Sequence, residues 1–263
     1  MKKYPKGRLN NVGCSGMTKK PKYVRWWLFA AVTFLICIVL QIPAAWLMAK
    51  FYQNNQILHN MSGNIWSGQA DWTRGQLRGS VSWKVRPLDV LRLRLGAHVE
   101  IHSGRSHIEG VVGYGLGKTL TLHDIDGQIA AETLQYVANW QWPSNAIQLQ
   151  QIALVYKPEQ GFSRADGQMQ WAGGELIYQY AQQQDRMNIP ALKAQLSDRE
   201  GQLVLDVRDQ REQKMLNIAI DPKLMLDLQL TQRLLLNTAS YQGKAGLDTY
   251  VLSTRQPLWQ GGR

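Results

Sequence analysis

The octapeptide VGYGLGKT, Val112–Thr119, comes nearest of any segment to a phosphate-binding loop. The pattern G-x-x-x-x-G-K-[ST] needs a glycine five places before Gly117, where Val112 stands. It also needs a strand running into a helix, whereas strand-like LTLHDI follows. A glycine-rich β-turn is the better reading. Four of the five histidines, His98, His102, His107 and His123, crowd one short stretch, as ligands of a metal ion would. On an extended strand, however, His98 and His102 stand about 13 Å apart, too far for one ion. Such a site would need a partner across a hairpin, His107 or His123. The segment HDIDG, His123–Gly127, places a base beside acids, yet Asp-Gly is foremost a turn signal. Nucleophile elbows, H-E-x-x-H helices and carboxylate pairs set to raise one pKa do not occur. No catalytic residue, no cofactor and no metal ligand set is expected, and no enzyme. Asp124 and Asp126 are what a weaker enzymatic reading would rest on. Arg86, Arg92 and Arg94 make a basic stripe suited to acidic headgroups or an acidic partner, or simply to solvent.

The elements that hold these residues follow from charge and periodicity. The chain has 263 residues and a formal net charge of +11. Residues 1–49 hold eight basic residues and no acid, so the rest, with 22 basic against 19 acidic residues, carries only +3. That asymmetry points away from nucleic acid and toward a basic tail ahead of a membrane. Trp26–Ala49 runs 24 residues without a charge, about 36 Å as a helix, enough to span a bilayer core with some tilt. It exceeds the 7–15 apolar residues of a signal peptide, which favours an uncleaved anchor. The positive-inside rule puts the N-terminus in the cytoplasm. Trp26, Trp27 and Trp46 sit where indole rings mark the two interfaces of a membrane anchor. Both cysteines, Cys14 and Cys37, precede Lys50, so the exported part is indifferent to an oxidising compartment such as the bacterial periplasm.

Beyond the anchor the period is two. Gly79, Val81, Trp83 and Val85 alternate with Ser80, Ser82 and Lys84. Leu91 to Ile101 alternates apolar with polar, as do Leu203–Val207 and Leu224–Leu230. Glycines recur ahead of short alternating runs, at Gly63, Gly79, Gly110, Gly127, Gly167 and Gly201, which suggests a meander with turns or bulges there. Short helical pieces are expected at Pro87–Leu91, Ala131–Trp140 and Thr231–Tyr241, and a loop at glutamine-rich Tyr180–Arg186. The expected architecture is mainly β: a basic cytoplasmic tail at 1–25, a transmembrane helix at 26–49, and a β-rich periplasmic domain at 50–263. That domain reads as a long curved antiparallel sheet with a few short helices. Most tryptophans after the anchor should pack against the sheet, a minority anchoring an interface.

The order of these pieces resembles a known family. SGNIWSGQA (Ser62–Ala70), LRGSVSWKVRPLDVL (Leu77–Leu91) and LTLHDIDGQIA (Leu120–Ala130) behind one membrane helix are similar to protein N of the type II secretion system. The matching positions are Gly63, Trp66 and Gly68 in G-x-x-W-x-G, and Trp83 with Arg86 and Pro87. The resemblance implies a single-pass protein of the Gram-negative inner membrane. Its C-terminal domain would lie in the periplasm, contacting the inner-membrane platform or the outer-membrane secretin and supporting export of folded proteins, without catalysis. No nucleic-acid partner is expected. The same elements more distantly resemble AsmA-like periplasmic proteins, which would imply lipid handling by an apolar β-groove.

Overall fold

The computed structural model describes residues 23–51, 57–87, 89, 94–136, 140–180, 183–238 and 241–258. The long apolar run forms two helices, α1 (Tyr23–Gln41) and α2 (Ala44–Phe51). Between them stand Ile42 and Pro43, where the proline ring restrains the residue before it and removes a backbone donor. The chain divides after Gln41 into two compact units. Pro43 bridges Asn64, and the Ile65 N–H donates to the Ile42 carbonyl at 3.2 Å, so α2 starts inside the sheet-bearing unit. The continuous helix expected over 26–49 is thereby corrected. Its uncharged part in α1, Trp26–Gln41, is sixteen residues, about 24 Å long. Among the described residues, no helix is long and apolar enough to cross a membrane.

The sheet unit runs β1 (Leu58–Gly63), β2 (Ser67–Arg74), β3 (Leu77–Val85), β4 (Arg94–Ser103), β5 (Ser106–Gly115), β6 (Thr119–Ile129), α3 (Ala131–Leu134), β7 (Ile147–Lys157), β8 (Gly161–Trp171), β9 (Gly174–Tyr180), β10 (Gln183–Ile189), β11 (Leu192–Arg199), β12 (Gln202–Asp209), β13 (Lys214–Ile220), β14 (Met225–Thr231), α4 (Gln232–Leu235) and β15 (Tyr250–Pro257). Thirteen strands form one antiparallel sheet in chain order, interrupted only where β9 and β10 leave to pair with each other. The mainly β, antiparallel expectation holds. Among the described residues, the expected helices at Ala131–Trp140 and Thr231–Tyr241 contribute the four-residue turns α3 and α4. Leu91–Leu93 lie outside the described residues, and so does Arg92.

Register places each strand's apolar residues on one face. Val81 lies opposite Ile101, Ile101 opposite Ile108, Ile108 opposite Gly127 and Gly127 opposite Leu149. The same rung continues through Met169, Ala194, Val207, Leu216 and Leu230 to Leu252. The next polar rung carries Ser80, His102, His107, Gln128, Gln148, Gln170, Lys193 and Arg208 on the other face. Bulges interrupt β6 and β7 near Ile125 and Ala153 and bend those strands. The Tyr156 hydroxyl on β7 donates to Pro222 O at 3.1 Å. Pro222 follows β13, four strand spacings or about 19 Å away in a flat sheet, so the apolar face curls over here. Leu149, Ile152, Leu154, Phe162, Ala165 and Leu196 form the buried centre of that curl.

The β9–β10 hairpin and α4 close a second core, in which Leu176, Met187 and Ile189 pack with Trp171, Met215 and Leu234. The loop expected at Tyr180–Arg186 is therefore largely strand. Tyr180 pairs with Gln183, and Gln184 with Gln179. A run of consecutive glutamines, Gln182–Gln184, reads as loop in sequence, but here Met187 and Ile189 supply the buried face. Thr231, fully buried, donates to Met215 O at 2.7 Å and accepts from the Leu234 N–H at 3.3 Å, capping α4.

Candidate interaction surface

The G-x-x-W-x-G residues build the turn between β1 and β2. Asn64 Oδ1 accepts the N–H groups of Trp66 and Ser67 at 3.0 and 2.8 Å, an Asx-type turn that reverses the chain. Gly63 enters it at φ +89°, a conformation costly for a side chain. The Trp66 carbonyl accepts from Val85 N–H at 2.6 Å, joining this turn to the end of β3. Gly68 lies opposite Trp83, and a Cβ there would sit 2.5 Å from the indole Cζ2. Gly68 and Trp83 thus interlock by close approach. Arg86 follows β3, donating its N–H to Gly96 O at 2.8 Å, and pairs with Asp89 at 3.7 Å. Pro87 is exposed beside it. The six matched positions form one contiguous structural corner at β1–β4.

Trp26 and Trp27 are exposed on α1, and Trp46 is exposed on α2 with Lys50 Nζ 6.0 Å from its ring centroid. Trp46 thus lies in the sheet unit, five residues beyond the end of α1.

The other sequence motifs fall into strands and turns. VGYGLGKT is the β5–β6 hairpin, with Leu116–Lys118 as its turn and positive φ at Gly117 and Lys118. Asp126 and Gly127 lie within β6 at a bulge, not in a hairpin turn, and Asp126 Oδ1 accepts Gln151 N–H at 2.9 Å. The turn reading of HDIDG is corrected to a bulge, since the strand continues on both sides. His98 and His102 stand on β4, His107 on β5 opposite His102, and His123 on β6. Arg86 and Arg94 line an open cleft of about 640 Å³ with Lys157, Arg164, His123 and Asp89. Its cationic excess fits an anion better than a cation.

The surface with the clearest capacity to bind is the apolar face itself, because its cover is incomplete. Along one rung, exposure is 38% at Ile101, 8% at Leu149, 7% at Val207 and 50% at Leu252. Leu95 and Tyr114, paired on β4 and β5, are 60% and 52% exposed. Alternation predicts this face but not where it stays open, since that depends on the curl near Tyr156 and on the β9–β10 cover. The free edge adds a second opportunity: all eight residues of β15 are exposed, and an uncovered edge offers backbone groups to another strand.

The profile of the family described as type II secretion system (T2SS), protein N, matches residues 54–240, more than half of the chain. No characterised protein and no solved structure matches.

Proposed function

The chain belongs to the type II secretion system protein N family, and we propose that in that machinery it acts without catalysis, anchored in the inner membrane, its exported sheet contacting other secretion proteins. The observation that carries this reading is the partly open apolar rung from Ile101 to Leu252. Exposed apolar patches on an otherwise folded surface mark sites of association. The platform or the outer-membrane secretin is the partner such a position would reach.

The anchor is α1. From Trp26 to Leu40 every side chain is exposed and nearly all are apolar, and a helix apolar on all sides is stable in apolar surroundings. Its uncharged length is short of the roughly 30 Å hydrocarbon core, a mismatch that local thinning of the bilayer accommodates. The basic segment ahead of it favours a cytoplasmic N-terminus and a periplasmic sheet.

A second reading is lipid handling, favoured by the exposed pair Leu95 and Tyr114, which would suit acyl chains as well as a protein. One experiment separates the two. A photo-crosslinking amino acid is placed at Ile101 or Tyr114, and at Gln148 on the polar face, in cells actively secreting. Adducts to a secretion component from Ile101 and Tyr114 but not Gln148 are expected. Adducts to lipid alone would favour the second reading, and no adduct at either open position, with export intact after the Tyr114→Ser change, would reject both. A cysteine at Gln148 should also react with a membrane-impermeant thiol reagent once the outer membrane is permeabilised.

A further inference from the structure

We infer that His98, Glu100 and Glu109, on the polar face of β4 and β5, form a binding site for a divalent transition-metal ion of the zinc class. Distance along one strand excludes a site built from His98 and His102 alone, but the β4–β5 register supplies what that strand lacks. Glu100 lies opposite Glu109, and His102 opposite His107. One ligand atom from each of His98, Glu100 and Glu109 falls within 4.8 Å of the others, all three side chains half-buried. Zinc holds nitrogen and oxygen ligands at about 2.0–2.2 Å, so ligand atoms on one ion stand roughly 3.5 Å apart. Side-chain rotation of about 1 Å closes that difference.

Carboxylates outnumber cations around these ligands, the nearest cation by register being Lys84 on β3 opposite His98. Register sets Asp126 opposite Glu109, so Glu100, Glu109 and Asp126 stand abreast on three adjacent strands, and like charges directly opposite one another destabilise a sheet. Among the described residues, no lysine or arginine pairs with Glu100 or Glu109. Their ion-pair neighbours are histidines: His98 Nε2 at 3.6 Å and His102 Nε2 at 4.0 Å from Glu100, and His107 Nε2 at 3.8 Å from Glu109. These separations exceed hydrogen-bonding distance, leaving nitrogen and carboxylate lone pairs available to an ion.

A supporting shell is present. The His102 and His107 rings meet at a 30° tilt with centroids 4.4 Å apart and Nδ1 atoms 3.2 Å apart, two residues along the strands from the paired glutamates. Ser82 Oγ donates to Glu100 Oε2 at 3.5 Å. Neighbours that orient carboxylate and imidazole ligands tune affinity for the metal. An imidazole among the ligands selects zinc-like ions over calcium or magnesium, which take oxygen.

The test is equilibrium dialysis of the full, tag-free chain in detergent against micromolar Zn²⁺, with bound metal counted. One equivalent per chain is expected, with affinity falling at least tenfold in Glu109→Gln and in His98→Gln and unchanged in His123→Gln. The substituted positions lie on the polar face, and circular dichroism checks that the sheet persists. Independently, Co²⁺ added to the unsubstituted chain should give the visible absorption of a four- or five-coordinate ion, displaced by Zn²⁺ and not by Ca²⁺. Absence of stoichiometric zinc, equal binding in both site variants, or displacement by Ca²⁺ would overturn the assignment.

Discussion

Two stretches of one apolar rung meet different fates. At Leu149 and Val207 the sheet curls and the side chains are sealed, while at Ile101 and Leu252 the same face stays open. The β9–β10 hairpin makes a similar difference further along, turning Trp171, Met215 and Leu234 into core. The alternating pattern that builds a strand is therefore silent on whether its apolar side becomes interior or surface. Cover decides, and cover is supplied by strands remote in sequence.

That contrast can be broken at its sealed end with the largest effect. Trp171→Ala removes a buried indole and its hydrogen bond to Asn145 O at 3.1 Å. It should destabilise the unit by about 3–5 kcal/mol, read as a fall in the urea midpoint. Thr231→Val keeps the shape of the side chain but removes the α4 cap and the bond to Met215 O. A loss of about 1–2 kcal/mol is expected in the same assay. At the open end, Leu95→Ser should move stability by less than about 1 kcal/mol yet weaken crosslinking from Tyr114. A stability loss equal to that of Trp171→Ala would show that the open face is in fact covered.

The smallest effect tests a surface contact outside both regions. Arg105 grips Glu132 through two bonds of 2.8 Å, and the hydrogen bond to this guanidinium lowers the Glu132 pKa to about 2. The folded state thus favours the charged form. Its contribution is complete above the ordinary glutamate pKa and is lost as pH falls from about 4.5 toward 2. Because the pair is largely exposed, solvent screening keeps the effect small. Glu132→Gln should lower the urea midpoint slightly at pH 7, with the gap closing by pH 2.

Much of the fold could be read from the residues. Period two at Val81–Val85 and Leu203–Val207, and glycines before the runs, suffice for an antiparallel meander. What could not be read depends on pairing over distance. The glutamine-rich segment reads as a loop because two buried residues, Met187 and Ile189, give too short an alternation. Hydrophobicity alone extends one helix over 26–49, whereas Pro43, with its bridge to Asn64, marks where the sheet unit begins. Glu100 and Glu109 are not legible as a pair in sequence because neither adjoins the other. The Gly104-Arg105 turn sets them opposite, and a two-residue hairpin loop containing glycine was the signal available. The motif Gly63, Trp66, Gly68, Trp83 and Arg86 was legible as a group, and its interlocking corner explains the spacing.

Because hydrogen-bonded neighbours in this sheet are nearly always successive in the chain, assembly need not wait for the C-terminus. A chain made from its N-terminus forward can lay each new strand on one already docked, so ordering proceeds by short loop closures. The step out of sequence is β11, which must find β8 after the β9–β10 excursion. That junction is where nascent chains should pause longest and where a holding chaperone would have the most to protect.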